Sequence, residues 1–270
     1  PRRVEYAVRK PEDFRVLEFI VENTHYKPYY YPIEDQLRRL GGDGIVVAQM
    51  PYSPFQRLLI DWVGPRLYIH LAKEEEAINE ICVVLQERYE KELFPAAAES
   101  PSEVVLYGDN IDSILVSPRI FGRYHMPSYA KCARILHDKG RLLDVHMDGR
   151  LRDLAGLIAK SEMDVVEAFT PPPMGDLPID EALSEWRKKI IWINFPSSVS
   201  TLLGPPEVKK YLIEQLEVMG SGERLMLIAS TENYIPEENL VAMTEIMDRV
   251  TLPLRKEAVM QLRAEYLGPS

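Results

Sequence analysis

The sequence predicts an α/β fold, a TIM (β/α)8 barrel carrying an irregular N-terminal extension. Three observations predict it. From about residue 103 onward, short apolar strands alternate strictly with amphipathic helices, the mark of right-handed βαβ units. Those strands are rich in Val, Ile and Leu along their whole length, so both faces are covered, as in a parallel sheet under helices. The chain has 270 residues, close to the ~250 of one such barrel. Alternation alone also admits a doubly wound open sheet. No G-x-G-x-x-G follows any strand and no G-x-x-x-x-G-K-[ST] occurs. The dinucleotide and P-loop readings thereby lose their usual support, and the barrel is preferred. A single domain is expected over 1–270, with 1–42 as the extension, 43–252 as the barrel and 253–270 as a C-terminal helix or tail. About six strand candidates are visible, so one or two strands are short, irregular or missing from this chain.

Each element has its own justification. Residues 11–23 place Phe14, Leu17, Ile20 and Val21 on one helical face. The Pro- and Tyr-rich stretch Tyr26–Pro32 reads as a loop, and its Tyr29-Tyr30-Tyr31 run as packing or an interface. Gly44–Met50 is β-rich after a Gly-Gly-Asp turn. Residues 73–93 make the clearest helix, with Ile78, Ile81, Cys82, Leu85 and Tyr89 as its apolar stripe. Strands follow at 103–109, 141–146, 164–169, 190–195 and 224–230. Helices are expected at 118–139, 150–160, 179–188, 205–219 and 236–250. Pro205-Pro206-Glu207 and Pro236-Glu237-Glu238 put proline and acids in the first turn, where orphan N–H groups and the dipole favour them.

Composition narrows the function. Apolar residues are 46% and charged residues 27%, as in a folded, core-forming protein. With 32 Lys+Arg against 42 Asp+Glu the net charge is −10, which makes nucleic acid a poor first partner. No apolar run approaches the ~18 residues of a transmembrane helix. The start at Pro1-Arg2-Arg3-Val4 has neither an initiator Met nor a signal-peptide core, and reads as a processed or truncated piece of something longer. Cys82 and Cys132, 50 residues apart without a C-x-x-C, exclude a disulfide scaffold and a cysteine-rich zinc module. Both read as buried thiols in a reducing, cytoplasmic setting.

In parallel α/β folds the chemistry sits at the C-terminal ends of the strands. Those ends deliver Tyr107, Asp109 and Asn110, then His146 and Asp148, then Glu167, then Asn194, then Glu232 and Asn233. His146-Met147-Asp148 is the sharpest feature. An imidazole and a carboxylate at i and i+2 past a strand suit one zinc, manganese or iron ion, with Glu232 as the best third ligand. Asp148-Gly149 is also a common turn pair, so a plain loop explains the same residues. Asp109 and Glu167 are candidates for acid–base work, and Tyr107, Asn110, Asn194 and Asn233 for substrate contacts. His70 reads as packed and His137 as a helix-end cation. His125, before Met126-Pro127, reads as packed rather than facing the mouth.

The stretches YGDN (107–110), SPRIFGRY (117–124), ARILHDKGRLLDVHMDGRLRDL (133–154) and IAKSEMDVVEAF (158–169) resemble the uroporphyrinogen decarboxylase superfamily. IIWINFPSS (190–198), GPPEVKKYLIEQL (204–216) and RLMLIASTENYIPEENLVAM (224–243) continue the likeness. It covers about residues 100–250, and the region from about 51 more loosely. The resemblance implies a TIM barrel. It also implies kinship with zinc-dependent methyltransferases that work with corrinoid proteins, in which a His-x-Cys after one strand and a later Cys bind zinc to activate a thiol acceptor. His146 matches the first ligand. Asp148 stands where that group has Cys, and the later Cys falls within Ser230-Thr231-Glu232-Asn233, so oxygen-type groups replace both sulfurs. The arginine-rich N-terminal motif of the true decarboxylases is absent from this sequence. The resemblance therefore implies a metal-assisted methyltransferase first. It would carry zinc or another divalent ion, with corrinoid on a separate partner protein and a possible homodimer. A cofactor-free decarboxylase or lyase of a carboxylated substrate comes second, and a non-catalytic binding subunit third.

Overall fold

A computed structural model describes residues 5–229 and 234–268. The described chain divides into two compact units. The first takes in residues up to Asn110 with Pro118–His146 and Ser161–Asp164, and the second Ile111–Ser117, Met147–Lys160 and Val165 onward.

The first unit opens with helices α1 (Asp13–Glu22) and α2 (Tyr31–Leu40), then strand β1 (Val47–Met50) and helix α3 (Pro54–Arg57). Helices α4 (Leu67–Lys73), α5 (Glu75–Arg88) and α6 (Phe94–Ala98) follow, then β2 (Val104–Tyr107), α7 (Pro118–Ile120), α8 (Met126–His137) and β3 (Leu142–His146). β1, β2 and β3 pair in order and in parallel, with Val47 opposite Val104 and Val104 opposite Leu142. α1 packs on α5 through Phe14, Leu17 and Val21, but Ile20, expected on the same face, is about half exposed. All five residues of the predicted α5 stripe, Ile78, Ile81, Cys82, Leu85 and Tyr89, are buried. Removing each such aliphatic side chain from water contributes about 1.5–3 kcal/mol. Three π-helical turns, Leu58–Trp62, Tyr89–Leu93 and Phe121–His125, interrupt the helical runs of this unit.

The loop expected over Tyr26–Pro32 ends earlier than predicted, because α2 already starts at Tyr31 with Pro32 in its first turn. A proline there gives up only an N–H that lacks a helical partner anyway. The preceding stretch is bound to the helical layer. The Tyr26 N–H donates to Glu92 and the Tyr30 hydroxyl to the Ala96 carbonyl at 2.6 Å, and Arg88 donates to the Thr24 carbonyl. Tyr29 and Tyr31 stay exposed, their rings 6.5 Å apart.

The second unit contains α9 (Ala155–Lys160), β4 (Val165–Phe169), α10 (Ile179–Glu185), β5 (Ile190–Asn194) and α11 (Ser197–Leu202). It continues with α12 (Pro205–Val218), β6 (Leu225–Ile228), α13 (Glu237–Met247) and α14 (Lys256–Leu267). β4, β5 and β6 pair in parallel, Val165 opposite Ile190 and Ile191 opposite Leu225. α12 packs against α13 and α14. The predicted α/β alternation of parallel strands and helices is present. The described residues hold six strands rather than the eight of a full (β/α)8 barrel.

Candidate functional site

At the end of β2 the first unit holds a buried polar knot. Asp109 has no exposed surface. Its Oδ1 accepts the Ser53 N–H at 2.6 Å and its Oδ2 accepts the Tyr129 hydroxyl at 2.6 Å. The His125 Nδ1 lies 3.2 Å from the same Oδ2 and 3.1 Å from Ser53 Oγ. Serine, histidine and aspartate thus meet, but both oxygens approach one ring nitrogen. A nucleophilic triad needs the serine on one nitrogen and the acid on the other. His125 is fully buried, as its sequence context suggests, and its Nε2 has no hydrogen-bond partner. Burial, and then the Asp109 carboxyl, raise the Tyr129 phenol well above its usual range. Tyr107 is also fully buried, its hydroxyl 3.1 Å from Ser128 Oγ, and burial first of all raises its phenol. Asn110 is exposed, and its carbonyl accepts from Gln56 Nε2 at 2.7 Å. Of the three residues expected here, only Asn110 presents itself to solvent. Asp109 holds together the segment after β1, the end of β2 and helix α8.

His146 closes β3 and is half-buried. The turn that follows, Asp148-Gly149-Arg150, belongs to the second unit, and two carboxyl groups grip its backbone. Asp112 accepts the Arg150 N–H on Oδ2 at 3.0 Å and the Ile114 N–H on Oδ1 at 2.6 Å. The Ser113 N–H donates back to the Arg150 carbonyl at 2.9 Å. Asp176 Oδ1 accepts the Leu151 N–H at 2.9 Å and the Arg152 N–H at 3.1 Å. Gly149 makes this approach possible, since a Cβ there would lie 2.0 Å from Asp112 Oδ2. A Cβ on Gly175 would lie 1.8 Å from the Thr170 carbonyl oxygen and 3.6 Å from that of Gly149. The loops after β3 and β4 therefore meet glycine to glycine.

Glu167 and Asn194 are half-buried and lie on β4 and at the end of β5. β4 is irregular at Glu167. The register with β5 shifts between Val166 and Phe169, and Ala168 takes a φ of +61°. Such a bulge bends a strand and re-aims the side chains beside it, and a non-glycine residue there marks local strain. The Glu167 carbonyl accepts the Met147 N–H at 2.8 Å, tying the bulge to the residue before Asp148. Glu232 and Asn233 lie outside the described residues.

Neither cysteine is a ready thiolate donor. Burial pushes the Cys82 thiol up to about 12 and that of Cys132 well above its usual value. Among the described residues no three His, Cys, Asp or Glu side chains are grouped to share a metal ion. The expected donors His146 and Asp148 are both half-buried, and Glu232 lies outside the described residues. Sequence reading missed Asp112 and Asp176. The signals were there, an Asx-type Asp-Ser pair at 112–113 and a Gly-Asp turn at 175–176, but their acceptance of distant N–H groups is long-range and leaves no local pattern.

No protein-family model matches the chain, and a search of curated proteins finds no relative. Among solved structures, a methyltransferase from Methanosarcina mazei matches with a TM-score of 0.62 at 15% identity, over 80% of this chain and 62% of that one. The chain thus spans less than two thirds of that protein's length, and at this identity the likeness is one of fold.

Proposed function

We propose that this chain is a methyltransferase-type enzyme whose chemistry lies at the C-terminal ends of its strands, passing a methyl group to or from a separate corrinoid protein. One observation carries the reading. A His-x-Asp pair stands at the end of β3, in a fold shared with a methyltransferase. His146 and Asp148 are the side chains that would hold a divalent cation, zinc first, with Glu232 as third donor. Their two-residue spacing and the resemblance support this assignment. When bound, such an ion would supply Lewis-acid stabilisation to the thiolate form of an acceptor.

The chain's own residues do the rest. The clamped turn fixes the backbone beneath Asp148. Asn110 and Asn194 offer carboxamides that donate and accept at once, suited to orienting a polar substrate. Glu167, beside the strained Ala168, is the carboxyl group that would take or return a proton. Asp109, buried and held by Ser53 and Tyr129, acts by positioning.

Metal content tests the reading. Wild-type protein purified without chelator should carry about one divalent ion per chain, and His146→Ala and Asp148→Ala should lose it. A wild type still metal-free after incubation with zinc would overturn the metal-assisted reading in favour of a carboxy-lyase or a binding subunit.

A further inference from the structure

Three successive backbone N–H groups, those of Arg150, Leu151 and Arg152, end on carboxyl oxygens rather than on backbone carbonyls. The two carboxyls come from the loop after β2 and the loop after β4, on either side of the loop after β3. Asp112 spends both its oxygens on this task, one on Arg150 and one on Ile114. Asp176 adds its own carbonyl, which accepts Arg152 Nε at 3.0 Å, and Glu181 takes the same guanidinium through two contacts at 2.6 and 3.3 Å. Gly149 and Gly175 leave room for the crossing and nothing more. A turn built only to connect β3 with α9 needs none of this.

We propose that Asp112 and Asp176 are positioning residues, a two-sided clamp that fixes the Asp148 turn and thereby sets how tightly Asp148 engages a cation. The inference rests on the assignment of Asp148 given above. Groups that orient a ligating side chain typically change metal affinity about 10- to 100-fold when removed. Asp112→Asn turns an acceptor-only carboxyl into a carboxamide whose NH2 must face one of two backbone N–H groups, and Asp176→Ala removes the single oxygen that accepts two. Each should release its own part of the turn while the protein stays folded.

The test combines amide hydrogen exchange with a Co2+ titration, on the full chain, for wild type, both variants and the exposed control Asp180→Asn. Asp112→Asn should speed exchange at Arg150 or Ile114, and Asp176→Ala at Leu151 and Arg152. Both should weaken Co2+ binding by about tenfold or more, with unchanged far-UV circular dichroism and no effect in the control. Unchanged exchange in both variants overturns the clamp, as does faster exchange with unchanged Co2+ affinity. A wild type that binds no Co2+ but shows the variant-specific exchange overturns the metal reading and leaves the clamp standing. If one variant fails to fold, the other carries the same test through a different amide.

Discussion

Asp109 shows how burial decides what a carboxyl group can do. Strand-end position marks it for acid–base chemistry, yet its oxygens receive Ser53 and Tyr129 and face His125 in a site closed to solvent. A buried polar group left short of a partner costs more than the bond itself returned. Asp109→Asn should therefore destabilise the protein by about 2–3 kcal/mol, and Tyr129→Phe by about 1–2 kcal/mol. Urea unfolding of the two single variants and the double should show coupling above about 0.5 kcal/mol, because both changes break one network. Additive losses would mean that the Tyr129 hydroxyl contributes nothing through Asp109. That β3 ends at His146 and that Asp148 follows it in the loop was legible from the strand pattern. The depth of Asp109 was not, since burial at a strand end depends on what α3 and α8 place over it.

Elements were legible where periodicity is clean. The α5 stripe reads directly, as do the β-α alternations after residue 103. Residues 54–73 do not read as helix, because a π-helical turn and Gly64-Pro65 break the 3.6-residue period within a few residues. α2 was hidden for another reason, a proline and tyrosine content that suggests a loop although its one internal proline sits in the first turn. The segment before α2 depends on Glu92. The Tyr26 N–H, with His25 and Arg88 beside it, holds the Glu92 carboxyl below its ordinary 4.5. A depressed carboxylate contributes stability that is full above its unfolded value and is lost as pH falls through the folded one. The exchange protection factor at Tyr26, the slowing relative to an unfolded amide at the same pH, should thus hold from pH 7 to about 5 and fall only below the normal glutamate range. Glu92→Gln should remove that pH dependence of protection. Protection that falls already between pH 7 and 6 would contradict a tether made by Glu92.

For the whole molecule, composition excluded more than it identified. The net charge is −10, and among the described residues no helix is long and apolar enough to cross a membrane; the parallel α/β fold is similar to that of a methyltransferase. Both thiols lie in the first unit, on α5 and α8, and both are buried. They report on that unit's opening as a whole. A thiol reagent at pH 8 should find neither cysteine in the native protein and both in strong denaturant, with labelling that follows unfolding as denaturant rises. Rapid native labelling of either would contradict its burial.

The three π-helical turns have a consequence for how this chain tolerates changes of length. Each turn accommodates one residue more than an α-helix would, so it works like a leap day and keeps two calendars aligned. Across Tyr89–Leu93 the buried face of α5 hands over to Leu93 and Phe94 without rotating away from the core. Loss of one residue inside the turn restores a plain α-helix with both flanks still facing inward. The same loss inside α5 swings everything after it by about 100°, carrying Phe94 out of the interior.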